Sequence, residues 1–581
     1  MEVSIERIRT TLVDLCRFEN RIAGTKTERL AADYLKSVLE DIGYKVIEHE
    51  FPVIAWEPKE ASILLESPKE RVIVCALFPN SPNADHRVAL VGLGSTQNKN
   101  ESKLPLYGFS EWGENLYTSP DTPYNKALDE GLDGLIISSP DEGELVKVRV
   151  GNRGKLLKIP IISVSKETGD LLKKMMAEDE VILKIKCASK RFQSHSTNLE
   201  AVLEGSDSDY EIVVSAHYDA WFSGASDNAA PVAIVIEAAR QLLEYAQRSV
   251  TPKRTIRFLL YGAEESGSER FYFWLNGSRS YVESQDSLDR FSLVVNLDSV
   301  GFHATNYVGT TYELLNFAQS VTSEIKQEER FNHYCPPADG SDHWFFTIGG
   351  VPTIYLIAWP SHLYHTQRDI PTSLDYESIQ AFAEYVVHSV VKFSNTDILP
   401  LDIMTPLEYL KESLNGFGKI NGNPFRTDEA SELVSRIIER KATLEQLSKD
   451  INESGRKGDS GRLNDFLLTA SRRLNRTIGQ VSGVHEASYL SRLALIQEYM
   501  TINSVVRKLE EMPFMRIHPR ALANLKEYED SPYKLLEVAD AILELKMRCN
   551  QLAEQIEEEM QNLTGHLRTT LDELEKLLTK K

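Results

Sequence analysis

Apolar and polar positions divide the chain into four textures. Ile5, Ile8, Leu12 and Leu15 recur at helical spacing, and Leu30, Tyr34, Leu35 and Val38 do so again. Arg21-Ile22-Ala23-Gly24-Thr25 breaks the first helix, Thr25 with Glu28 forms a capping box for the second, and Gly43 ends it. Residues 44–51 alternate as a strand does. From 53 to 191, short apolar runs punctuated by Pro and Gly predict strands at 71–77, 88–93, 134–138 and 159–164, with a helix at 168–177.

From 192 to 400, apolar strands at 211–216, 255–261, 291–297 and 352–358 alternate with long helices. The helix at 228–245 is apolar on most faces (Val232, Ile234, Val235, Ile236, Ala239, Leu242, Leu243) and must be buried. Such alternation predicts an α/β fold with a mixed, mostly parallel sheet flanked by helices. Beyond 401 the chain reads as helical. Leu433, Ile437, Leu444, Leu447 and Ile451 mark one amphipathic helix, and a last helix at 532–578 carries Val538, Ile542, Leu545, Cys549, Leu552 and Ile556 at four-three spacing. A helix this long needs a partner surface, in an all-α bundle within the chain or in a dimer contact.

Composition narrows the function classes. At 581 residues the chain is too long for one core. Its 65 basic and 86 acidic residues leave a net charge of −21, which argues against binding nucleic acid. No apolar run is long enough for a membrane span. Five dispersed cysteines and a charged N-terminus are what a cytoplasmic protein is expected to show.

The chemistry sits at the ends of the four strands in the third texture. The first is followed by His217, Asp219 and Asp227, the second by Glu264 and Glu265, the third by Asp298, and the fourth by a loop reaching Tyr364 and His365. If these strands are neighbours, five carboxylates and two imidazoles share one rim. So many like charges raise each other's pKa unless cations intervene. A His and carboxylate donor set without thiolate suits zinc or a similar first-row ion in an open catalytic site.

His217-x-Asp219, Asp227-Asn228, Glu264-Glu265, Leu297-Asp298 and Tyr364-His365-Thr366 resemble, in that order, the motifs of the dinuclear zinc exopeptidases. That family includes bacterial leucyl aminopeptidases, aminopeptidase Y, glutamate carboxypeptidase II and the transferrin receptor. The resemblance implies two zinc ions, with cobalt or manganese as alternatives. His217 and Asp298 would hold one ion, Glu265 and His365 the other, and Asp227 both. Glu264 would be the general base toward the attacking water, Asp219 would orient His217, and Tyr364 would donate a hydrogen bond to the oxyanion. It also implies a cis peptide at Asp227-Asn228.

The order of segments resembles glutamate carboxypeptidase II and the transferrin receptor. A catalytic domain would comprise 1–52 and 192–400, an inserted protease-associated-like domain 53–191, and a helical, dimerisation-type domain 401–581. The expected activity is hydrolysis of terminal bonds in short peptides, aminopeptidase favoured. Asp339 or Asp342 would read a free amine. A carboxypeptidase would instead use Arg149, Arg153, Lys155 or Arg520 for the carboxylate. A non-catalytic receptor-like protein should lack ligands or base, and none is missing.

Overall fold

The computed structural model describes residues 3–94, 103–112, 120–248, 251–270, 273–418, 427–454, 457–478 and 532–579, with Tyr499 and Ile502. The chain divides into two compact units. The first holds Met1–Thr310, Phe317–Phe346 and Thr353–Thr396; the second holds Thr311–Asn316, Thr347–Pro352 and Asp397–Lys581.

The first unit is built on one 14-stranded sheet. Its strands are β1 (Val46–Ser67), β2 (Arg71–Ile73), β3 (Cys75–Leu77), β4 (Ala84–Gly92), β5 (Leu106–Glu111), β6 (Gly134–Ser138) and β7 (Ile161–Val164). They continue as β8 (Ile182–Leu203), β9 (Asp207–His217), β10 (Arg254–Tyr261), β11 (Phe291–Leu297), β12 (Thr305–Thr310), β13 (Phe331–Tyr334) and β14 (Thr353–Trp359). The order is β13-β12-β14-β11-β9-β10-β8-β4-β5-β6-β7-β3, with β1 beside β8 and β2 beside β1. Among the described residues, seven of the thirteen strand pairings are parallel, in keeping with the expected mixed, mostly parallel sheet.

Segment 53–191 is not strung on loops. β1 and β8 pair antiparallel from Val46↔Ala201 to Ser67↔Ile182. One end of β8 also pairs with β10, the other with β4, so this ribbon carries one sheet through both segments. The pattern of residues 44–51 anticipates only the start of β1, because Pro52 and Pro58 read as breakers. Yet β1 has β8 alone as partner over 46–61, and on an outer strand a missing N–H costs no ladder bond; a register shift accompanies Pro58.

The helix after β9 spans Ala230–Arg248 and is buried along most of its length, as its apolar composition requires. Helices Ile5–Cys16 and Lys26–Ile42 precede β1. Thr25 Oγ1 accepts the Glu28 amide at 3.3 Å, but the Glu28 carboxylate takes Gly24 N rather than the cap residue's own N–H. The capping box is thus half formed, and Glu28 is turned to other work. In the second unit, the helix expected through 433–451 is two helices, Asp428–Ile438 and Lys441–Ser454. Arg440 N bonds back to Ile437 O, a tight turn that ends the first. The step from Ile437 to Leu444 is the same with or without this break, so spacing conceals it. The last helix, Pro532–Thr579, buries Cys549, Leu552, Ile556, Met560, Leu563, Leu567 and Leu571, whereas the side chains of Val538 and Ile542 lie outside the described residues. Arg473 pairs with Glu573 across this unit at 2.5 Å.

Candidate metal centre

Four adjacent strands, β14-β11-β9-β10, run parallel to one another. Their C-terminal ends therefore open onto one rim, where open α/β sheets bind ligands. β9 ends at His217, and Asp219 and Asp227 follow in its loop. Glu264 and Glu265 come directly after β10, Asp298 directly after β11, and His365 from the loop after β14. The peptide Asp227-Asn228 is cis.

The eight residues singled out in the sequence converge. Ligand atoms of His217, Asp227 and Asp298 lie within 4.8 Å of one another, as do those of Asp227, Glu265 and His365. Asp227 belongs to both sets. Its Oδ1 is 3.3 Å from His217 Nε2 and its Oδ2 3.3 Å from His365 Nε2. His217 Nε2 also faces Asp298 Oδ1 at 3.6 Å and Glu264 Oε2 at 3.9 Å.

The tautomers identify what these atoms can hold. His217 Nδ1 lies 3.1 Å from the Asp219 carbonyl, and His365 Nδ1 3.1 Å from the Val148 carbonyl. A carbonyl accepts only from a donor, so Nδ1 carries a hydrogen in both rings, and the neutral imidazole would offer its Nε2 lone pair to a cation. His365 Nε2 approaches Glu265 Oε1 to 3.0 Å, yet both buried atoms lack a hydrogen-bond partner. Imidazole and carboxylate atoms gathered this closely in a buried cluster fit a divalent cation. Burial pushes the Glu265 carboxyl up to about 7, while burial with Glu265 and Asp298 nearby raises Glu264 well above the carboxylate range. Burial opposes the charged form of His217, but Glu264, Asp219, Asp227 and Asp298 outweigh it and raise its pKa. The charge pattern asks for cations.

Around these atoms lies support of which the sequence reading assigned Asp219 alone. Asp219 faces His217 mainly through its backbone carbonyl, its Oδ1 standing 3.4 Å from Nδ1. Its carboxylate takes the amides of Glu264 at 2.9 Å and Glu265 at 3.0 Å. Trp221 Nε1 donates to Glu265 Oε2 at 2.9 Å, leaving Oε1 as the free donor atom. Asp369 accepts the amides of Ser226 and Asp227 at 2.8 and 3.0 Å. Arg21, fully buried, donates to the carbonyls of Tyr218, Ser223 and Gly224 and holds the loop between His217 and Asp227. Segment 53–191 contributes as well, since Val148 N also donates to His365 O at 3.2 Å. Apart from Asp219, only Arg21 falls in a signal noted in the sequence, and there it read as part of a helix break.

A cavity of about 390 Å³ opens beside the ligands, lined by His217, Asp227, Glu264, Glu265 and Asp298. Its walls are Tyr307, Tyr334, Tyr355, Ile357, Trp359 and Tyr364, with Asp339 at the margin. Tyr364 stacks on His365 with ring centroids 3.8 Å apart. Asp342 is fully buried and does not line this cavity, whereas Asp339 does. Arg149 is close enough to act electrostatically on Tyr364, while Arg520 lies outside the described residues.

Residues 198–390 match the model of peptidase family M28. Carboxypeptidase Q from Bos taurus is 23% identical over 426 residues, covering 65% of this chain and 84% of its own. A glutamate carboxypeptidase 2 homolog from Caenorhabditis elegans is 24% identical over 387 residues, covering 52% of this chain and 49% of its own. Among solved structures, BSAP, a zinc aminopeptidase from Bacillus subtilis, has a TM-score of 0.53 at 21% identity, covering 69% of this chain and 98% of that one, a likeness of fold. The segment that matches the peptidase family M28 model, residues 198–390, spans every candidate ligand from His217 to His365.

Proposed function

We propose that the protein is a dinuclear metal-dependent exopeptidase acting on short peptides, with removal of N-terminal residues favoured. The observation that carries this reading is the pair of ligand sets sharing Asp227, with Glu264 facing the same cavity. Zinc ions held by His217, Asp227 and Asp298 and by Asp227, Glu265 and His365 would acidify a water and polarise the scissile carbonyl. Glu264 takes the water's proton and passes it to the leaving amine. The Tyr364 hydroxyl, at the cavity wall, donates to the oxyanion of the tetrahedral intermediate.

The cavity supports an aminopeptidase. Its described lining contains carboxylates and no Lys or Arg, so a free amine is better received there than a terminal carboxylate. Asp339, among the lining residues, would read that amine, and the aromatic walls favour a bulky apolar side chain. The carboxypeptidase reading draws on Arg149 near Tyr364. Peptides blocked at either end decide: an aminopeptidase ignores N-acetylated substrates and cleaves C-amidated ones, and cleavage of a doubly blocked peptide would overturn both versions.

Two further readings belong here. The five cysteines are free thiols, which supports a reducing, cytoplasmic setting. Segment 53–191 works as a protease-associated-type module on the substrate side, a role supported by the Val148 contacts to His365.

A further inference from the structure

The turn after β10 presents both the base and a metal ligand, and two buried carboxylates grip its backbone. Ala263 has φ of +53°, a left-handed conformation that lets successive amides of a turn point into one concavity. The amides of Glu264 and Glu265 go to Asp219. The amide before them, Ala263 N, donates to Glu28 Oε1 at 3.1 Å, across 235 residues of sequence. Ser196 Oγ donates to the same oxygen at 2.7 Å, and Gly24 N to Oε2 at 2.6 Å. Glu28 is 2% exposed. Burial and the neighbouring Asp219 push its carboxyl up, to about 8, against three donor partners that favour the charged form.

Gly262 makes the approach feasible. A Cβ there would lie 2.3 Å from Ser196 Oγ, 2.8 Å from the Tyr218 hydroxyl and 3.0 Å from Glu28 Oε1. The turn therefore rests directly on the carboxylate.

We propose that Glu28 is a positioning residue for Glu264 and Glu265. With Asp219 it holds three consecutive amides, 263 to 265, and so sets the direction in which base and ligand leave the backbone. Glu28 touches neither the substrate cavity nor the ligand atoms; it acts through the turn. The proposal rests on the metallo-exopeptidase reading for its kinetic consequence only.

The test is Glu28→Gln, which preserves shape but turns an NH₂ group toward one of the three donors. Steady-state kinetics on the zinc-loaded enzyme should show kcat lower by about 10-fold to 100-fold with KM within about twofold. Calorimetric titration of metal-free protein with zinc should show one of two ions bound at least about 10-fold more weakly, the one that Glu265 serves. Unchanged kcat and unchanged zinc affinities, even with a lower Tm, would overturn the proposal and leave Glu28 a structural group. If the unaltered protein cleaves no peptide, the exopeptidase reading falls, while the zinc titration still decides the role of Glu28. Should Glu28→Gln fail to fold, Ser196→Ala removes one donor and keeps the carboxylate. A loss of kcat of about threefold or more at constant KM supports the proposal, and no loss overturns it.

Discussion

His365 Nε2 and Glu265 Oε1 stand 3.0 Å apart, and neither buried atom meets a partner in hydrogen-bonding geometry. That juxtaposition concentrates the residue-scale chemistry, because a divalent cation would satisfy both buried atoms at once. Glu264 lies next to Glu265 in sequence but is in neither ligand set. Glu264→Gln should therefore lower kcat by about 10²-fold to 10⁴-fold and leave bound zinc unchanged by elemental analysis. Loss of zinc along with activity would make Glu264 a ligand instead. The residues expected to ligate or react could be named from the sequence because each falls in a short motif after a strand. Trp221, Asp369 and Glu28 could not, since each is selected by a hydrogen bond across 44, 142 and 235 residues respectively.

At the scale of elements, the turns after the strands are fitted against one another with little clearance. Helix Asn276–Glu283 begins against the turn after β10, and a Cβ on Gly277 would lie 2.2 Å from the Gly262 carbonyl. Gly277→Ala should cost roughly 1–3 kcal/mol of stability, whereas Gly565→Ala, with no atom within 4 Å of the new Cβ, should stabilise its helix slightly. Thermal melts of the two variants should shift in opposite directions.

Strands β1, β8 and β10 are also tied by charge. Burial would raise the Glu200 carboxyl, but hydrogen bonds from His49 at 2.7 Å and Arg257 at 2.5 Å hold it down at about 2. Between about pH 4.3, the ordinary glutamate value, and pH 2, the unfolded chain binds this proton first, so stability rises with pH there. The contribution is complete above that window and is lost as pH falls through it. Glu200→Gln should flatten this acid limb in urea unfolding curves, and an identical slope in the variant would refute the assignment.

At the scale of the whole molecule, the pattern that predicted strands and helices also predicted an inserted module, and the sheet shows how it is attached. Two strands of 22 residues each, β1 and β8, carry one sheet through both segments. In the second unit, the last helix buries an apolar stripe from Cys549 to Leu574. We propose that this helical region also makes a homodimer. Sedimentation equilibrium should give twice the chain mass, and a monomer at micromolar concentration would refute it.

The sequence by itself determined the fold class, the four strands that matter and every residue expected to ligate or react. Those features are local: a strand's apolar run and the acid or histidine that follows it lie within a few residues of each other. Only the tertiary structure decided that the four strands are adjacent, that Asp227 lies between both imidazoles, and that Asp219 serves the turn after β10. Strand order and carboxylate partners depend on which buried groups must satisfy one another across the fold, and no local periodicity records that requirement.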